Sequence, residues 1–429
     1  MARTGQRPQS KVFGLSLKDR GAILTSGHMS DGAYWFDSNL VVSSTYYMPT
    51  LPPWIVEFNA GLPKRIAQYK WFPLQPPNDK AFCALSVEVG VRKCGYPLDN
   101  NNPNDKPKLE SSPLANDLVE ELAEQIIERE GLGSRDATDI LTISFSANDY
   151  VGHELGPDSP EVRDISIRTD RLLKKLLDFL ERAGLGRGKT LVVLSADHGV
   201  AATPKANNDR RMPGGYIYSS DIEANLNKRL GQHFGKTGTR WISSLRDGFL
   251  YLNHDEINKL KLDITDVRRV AAEEVGKTPN VARVYTRDEL SRGVAGADRV
   301  ARAVQLGFNS RRSGDVVLLP EPNFMFAPRP GTFDSGTSHF TPYTYDTHVP
   351  VIFYAPGIIR SGFNYGRIDV NDVAPTLAAI LGVEAPSGSS GRILRELSEY
   401  DCCRPPLVLF VCIKRQRTWA ANGCGTSRR

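Results

Sequence analysis

The chain has 429 residues, enough for one large domain with insertions or for two domains. Its formal charge of +5 is concentrated at one end: from Asp401 onward there are six basic residues and one acidic, so the rest balances at 48 against 48, which argues against a nucleic-acid surface over the main fold. No apolar run approaches the ~20 residues that cross a bilayer, and the opening "MARTGQRPQSKVFG" has no apolar core of the kind a signal peptide needs.

The first apolar, β-branched run is "KVFGLSL" (Lys11–Leu17), which predicts a buried strand of the parallel type. From His28 to Ser112 the chain is rich in Pro, Asn and aromatics and has little periodicity, so 28–112 is expected to be a loop-rich insertion. Within it, Cys83 and Cys94 can pair as a disulfide if the protein is exported. The Ser-Pro opening of "SPLANDLVEELAEQIIEREG" then predicts a helix leading into a second strand, "DILTISF" (Asp139–Phe145). Another helix is expected from the cap Ser159 to about Gly184, before a third strand, "TLVVLSA" (Thr190–Ala196). Strand, helix, strand at this spacing is a βαβ unit.

Residues 205–312 alternate helices and short strands, as in a second insertion or cap. A fourth strand of the parallel type is "VPVIFYA" (Val349–Ala355), and "VNDVAPTLAAILGVEAP" closes the pattern as a helix ending at Gly382. The α/β core is therefore assigned to 1–27, 113–204 and 313–400. The remaining 401–429 is expected to be an atypical basic appendage outside the α/β pattern, whose cysteines lack the paired CxxC spacing of a structural zinc site.

Two strands end by bringing Asp and His close together. In "NDYVGH", Asp149 and His153 are four residues apart, so a helical turn puts both on one face. In "SADHGV", Asp197 and His198 are adjacent at the carboxyl end of a strand, where ligands gather in open α/β sheets. His339 and His348 precede a further strand, and these three places hold four of the seven histidines. Either motif alone is ordinary turn chemistry, but their recurrence at consecutive strand ends points to a metal site. Mixed carboxylate and imidazole ligands suit Zn²⁺, with Mn²⁺ also compatible by type.

Together "GLSLKDRGAILTSGH", "SFSANDYVGHELGPDSPE", "LSADHGVA" and "GTSHFTPYTYDTHVP" resemble the alkaline phosphatase superfamily, in its type I phosphodiesterase/nucleotide pyrophosphatase branch and nearest to PafA-type alkaline phosphatases. The resemblance runs from about Ser10 to about Leu397. It implies a mixed, mostly parallel α/β sheet sandwiched by helices, with two insertions, and a bimetal zinc site acting on small phosphate monoesters. Asp149, His153 and His339 would hold the first zinc, with His348 as the alternative to His339, and Asp197 and His198 would contribute to the second. Lys18 and Arg20 of "KDR" would contact phosphoryl oxygens, the forked guanidinium by paired donors and the ammonium as a point charge. Phe340 stands where the family commonly has Gly. The resemblance also implies a first strand ending in Asp and a Thr nucleophile ahead of "KDR". Neither is in the ten residues before that strand, so an N-terminally truncated member is expected, with its nucleophile unknown and a sheet lacking its first strand. Thr25 and Ser26 are the residues at hand for that role. A phosphodiesterase and a catalytically inactive remnant are the competing readings, and relatives imply export to the periplasm or medium. Oligomeric state is left open by the sequence.

Overall fold

The computed structural model describes residues 9–72, 74, 96–97, 109–331, 336–359, 361–397 and 405–413. Cys83, Cys94, Cys402, Cys403 and Cys424 lie outside them, and so does the proposed disulfide. The chain divides into two compact units, one of 1–152, 158–198 and 349–429, the other of 153–157 and 199–348.

The first unit is built on a seven-stranded sheet of order β14-β7-β15-β6-β1-β2-β3. Its strands are β1 (Val12–Ser16), β2 (Gly32–Asp37), β3 (Leu40–Val42), β6 (Asp139–Phe145), β7 (Thr190–Ser195), β14 (Val351–Tyr354) and β15 (Leu407–Ile413). The short pair β4 (Lys70–Trp71) and β5 (Tyr96–Pro97) stands apart from it. Four neighbouring pairs are parallel, while β14 and β3 run antiparallel at the two edges. The sheet is thus mixed and mostly parallel. The fourth strand departs from the parallel type assigned to it: β14 covers one edge, and its burial alternates between half-buried and exposed.

Helix α1 (Asp19–Ser26) packs on β1 so closely that a Cβ at Gly14 would sit 2.2 Å from the Ala22 carbonyl oxygen. Helices α2 (Pro53–Gln68), α3 (Pro113–Glu130), α4 (Ala147–Leu155) and α5 (Pro160–Arg182) follow. Ser159 caps α5 as its position suggests, accepting from the Val162 amide at 3.2 Å. α3 packs against α5 and against β6 and β1. The closing helix α8 (Val373–Leu381) shares an apolar cluster with Ile140, Leu191, Val193 and Val408 and ends at Gly382 in the left-handed conformation.

Two expectations are corrected here. Residues 28–72 are not a loop-rich insertion: β2 and β3 extend the main sheet, and Pro53–Gln68 is helical. Their apolar residues are few but sit where the pleat needs them, with Ala33, Tyr34 and Val41 almost fully buried. The tail is not wholly an appendage either. Leu407–Ile413 enters the middle of the sheet and pairs in parallel with β6 on one side and β7 on the other. Leu407, Val408, Leu409 and Val411 are fully buried, as a central strand covered on both faces requires. Consequently the sheet has no unpaired edge between β6 and β7.

The second unit centres on an antiparallel sheet of order β11-β12-β10-β9, made of β9 (Ile242–Arg246), β10 (Phe249–Leu252), β11 (Val281–Thr286) and β12 (Val316–Pro320). Helices α6 (Ser219–His233) and α7 (Ile264–Val275) bury Leu226, Leu230, Val267 and Val270 in its core. A separate parallel pair, β8 (Gly215–Tyr218) and β13 (Phe324–Ala327), completes the unit.

Two predictions concern the first unit. Val411→Asp puts an unpartnered carboxylate into the sheet centre, at a cost of several kcal/mol against a total stability of about 5–15 kcal/mol. Loss of the cooperative thermal transition is expected, and a variant melting like the wild type would contradict the buried position of β15. The other concerns the contact of α3 with α5, where Lys175 of α5 lies 2.5 Å from Glu120 and 3.7 Å from Glu124 of α3. Burial, and then the neighbouring Glu124, push the Glu120 carboxyl up to about 8 from an ordinary 4.5, against the pull of Lys175. The folded state holds this proton more tightly than the unfolded chain, so stability falls as pH rises from about 4.5 to about 8 and then levels off. Glu120→Gln needs no proton and still offers Lys175 an acceptor. Its Tm relative to wild type should climb across that range in a pH series of melts; parallel curves would show Glu120 ionised throughout.

Candidate metal centre

The site begins with helix α4, which starts two residues after β6 ends. A buried amide network fixes that start. Asn116 of α3 donates to Asn148 Oδ1 at 2.9 Å and to Thr169 Oγ1 of α5 at 3.0 Å, while its own Oδ1 accepts from the Ala147 amide at 3.3 Å. Asp149 therefore sits in the first turn of α4, 3% exposed. His153 follows one turn later on the same side of the helix.

Asp149 is flanked by an ammonium and an imidazole of its own unit. Lys18 Nζ donates to Asp149 Oδ2 at 2.7 Å, with both side chains under a tenth exposed, and lies 4.2 Å from the centre of the Tyr150 ring. His198 Nε2 is 3.9 Å from Asp149 Oδ1 and 3.6 Å from Asp197 Oδ2. His198 of the second Asp/His pair thus lies between the Asp197 and Asp149 carboxylates. Arg20, two residues beyond Lys18, is exposed in the first turn of α1.

In the second unit, His153 Nδ1 lies 2.8 Å from the Thr337 carbonyl, and the Thr337 amide donates back to the His153 carbonyl at 2.9 Å. The Thr337 hydroxyl donates in turn to Ala201 O at 2.8 Å. With Nδ1–H donating to a carbonyl, Nε2 keeps its lone pair for a metal. The same clasp carries His339, whose ring centre is 5.1 Å from that of His153. His153 and His339 thus set two imidazoles side by side in the second unit, and His153 stands one helical turn along α4 from the Asp149 carboxylate. One carboxylate oxygen and two imidazole nitrogens fit a borderline divalent cation such as Zn²⁺. His348 is exposed at the C-terminus of the short helix Thr344–Thr347. Gly199, after His198, is required by close packing, because a Cβ there would lie 2.1 Å from the Tyr345 carbonyl oxygen.

The two hydroxyls considered as nucleophiles are engaged elsewhere. Thr25 Oγ1 donates to the Gly21 carbonyl and lies 2.7 Å from Thr142 Oγ1, and Ser26 Oγ donates to the Ala22 carbonyl. Both sit at the far end of α1 from Lys18, about 10 Å along the helix axis. The contact that residue order alone had not disclosed is Lys18 with Asp149, since the two are 131 positions apart.

Residues 11–341 match the family model described as type I phosphodiesterase / nucleotide pyrophosphatase. The chain belongs to this family. Among proteins similar to it, alkaline phosphatase PafA of Elizabethkingia meningoseptica is 32% identical over 400 residues, covering 90% of this chain and 71% of that protein. Alkaline phosphatase PhoV of Synechococcus elongatus is 30% identical over 400 residues, covering 91% and 70%. The crystal structure of wild-type alkaline phosphatase PafA superposes with a TM-score of 0.78 at 31% identity, covering 91% of this chain and 75% of that one. For this phosphodiesterase-family chain the mixed, mostly parallel sheet is thus a shared architecture.

The ligand assignment is testable by zinc-dependent stabilisation. A ligand at a hundredfold excess over its Kd adds about 2.7 kcal/mol to the folded state. Zinc should raise the Tm of the wild type and of His348→Ala but leave that of His339→Ala nearly unmoved. The reverse pattern would transfer the ligand role to His348.

Proposed function

We propose that the chain is a metal-dependent phosphate monoester hydrolase of the alkaline phosphatase type, with zinc as its cation, small phosphate esters as substrates, and export to the periplasm or medium. The observation that carries this reading is the buried Asp149 carboxylate, one helical turn from His153, paired with Lys18 at 2.7 Å and 3.9 Å from His198. Membership in the family and the likeness to proteins named alkaline phosphatases support it.

In this reading Asp149, His153 and His339 would hold one zinc, and Asp197 and His198 would contribute to a second. When bound, the cations would supply charge to the attacking and leaving oxygens of a displacement in which, in net, water adds to phosphorus as the bond to the alcohol breaks; the described residues identify no side chain as the attacking group. Arg20 offers two parallel N–H donors to the phosphoryl oxygens. Lys18 lends a compact positive charge beside them, its four-carbon stem allowing it to move between Asp149 and a substrate oxygen. Two cationic side chains suit the terminal, doubly ionised phosphoryl group of a monoester better than the singly charged group of a diester. The family description names phosphodiesterases, so the diester reading is the one to be separated by experiment.

With zinc supplied, the purified chain should hydrolyse p-nitrophenyl phosphate in preference to bis(p-nitrophenyl) phosphate. Asp197→Ala should lower the rate at least tenfold, and Arg20→Ala should lower kcat/KM by about 10- to 100-fold through loss of charge-assisted hydrogen bonds. Preference for the diester would favour the phosphodiesterase. Absence of turnover of either ester with zinc bound would favour the catalytically inactive remnant instead.

A further inference from the structure

Phe340, next to His339, has φ of +97°, a region that L residues rarely adopt and that glycine enters freely. Among the described residues seven other non-glycine positions have positive φ, but all lie between 50° and 67°, within the ordinary left-handed well. An aromatic residue beyond that well is held there by its surroundings, and such strain clusters at functional positions. The conformation does not bury the ring. Phe340 is 63% exposed, although apolar side chains stand close by. Leu318, Phe324, Phe326 and Tyr345 line a cavity of about 30 Å³ beside it, too small for another ring. What the backbone does achieve is contact with the candidate metal ligand: the Phe340 ring centre is 4.1 Å from that of His339, which in turn is 5.1 Å from that of His153.

A strained, exposed aromatic face beside a metal-ligating imidazole offers a flat apolar surface next to whatever that metal holds. We propose that Phe340 is a specificity-determining residue that stacks against an aromatic leaving group of the phosphate ester, favouring aryl over small alkyl esters. This rests on His339 as a metal ligand and on phosphate esters as substrates. A ring–ring contact of this kind corresponds to roughly a 2- to 12-fold preference.

The test compares phenylphosphonate with methylphosphonate, two stable analogues with the same head group, by calorimetric titration into the zinc-loaded full chain and into Phe340→Leu and Phe340→Gly. The wild type should bind phenylphosphonate several-fold tighter. Both variants should lose most of that preference while keeping their affinity for methylphosphonate. Phe340→Gly should also melt no lower than the wild type, because the positive φ suits glycine, and a packing role for the ring would show as a lower Tm instead. If both analogues bind but the wild type does not discriminate, or the variants discriminate equally, the proposal is overturned and the phosphate-ester reading stands. If neither analogue binds to the zinc-loaded chain, that reading and the proposal fall together.

Discussion

A carboxylate removed from water must be given a cation, and Asp149 is such a carboxylate. Its partner, Lys18, comes from the end of β1, while Asp149 comes from the turn after β6, so one short ion pair couples two adjacent strand ends. The parallel register of β1 on β6 brings Ser16 opposite Ser144 and sets the spacing of that pair. Asn116, Asn148 and Thr169 then hold the helix start, so the carboxylate is aimed by three helices at once. His153, one turn on, owes its direction to the same helix and its tautomer to Thr337.

The sheet that carries these strand ends is closed through its middle. β15, more than 200 residues after β7, lies between β6 and β7 and makes their carboxyl ends neighbours of one continuous parallel array. Buried on both faces, it contributes through the hydrophobic effect and through ladders on either side, without supplying any of the site residues considered above. Such a long-range strand must wait for most of the chain before it can pair, which favours slow folding of the first unit.

Much of the core was legible in the sequence because two-sided burial demands continuous apolar runs. Asp139–Phe145 and Thr190–Ser195 are strands nearly to the residue, and the Ser159 cap and Gly382 stop behave as their chemistry suggests. The antiparallel direction of β14 was hidden, since periodicity carries no direction. β15 was obscured by the basic composition around seven apolar residues, and β2 and β3 by Pro- and Asn-rich neighbours. At the site, the helical spacing of Asp149 and His153 is local and therefore readable. The Lys18–Asp149 contact and the strained backbone of Phe340 depend on tertiary structure and have no local signature.

The central claim is that the Asp149 carboxylate anchors a divalent cation and that Lys18 holds the same carboxylate. Calorimetric titration of zinc into the full chain and into Asp149→Asn, which keeps the shape and removes the charge, tests this most directly. The account predicts at least one equivalent of tightly bound zinc in the wild type and its loss, or a weakening of at least tenfold, in the variant. Equal zinc binding by the two would contradict it.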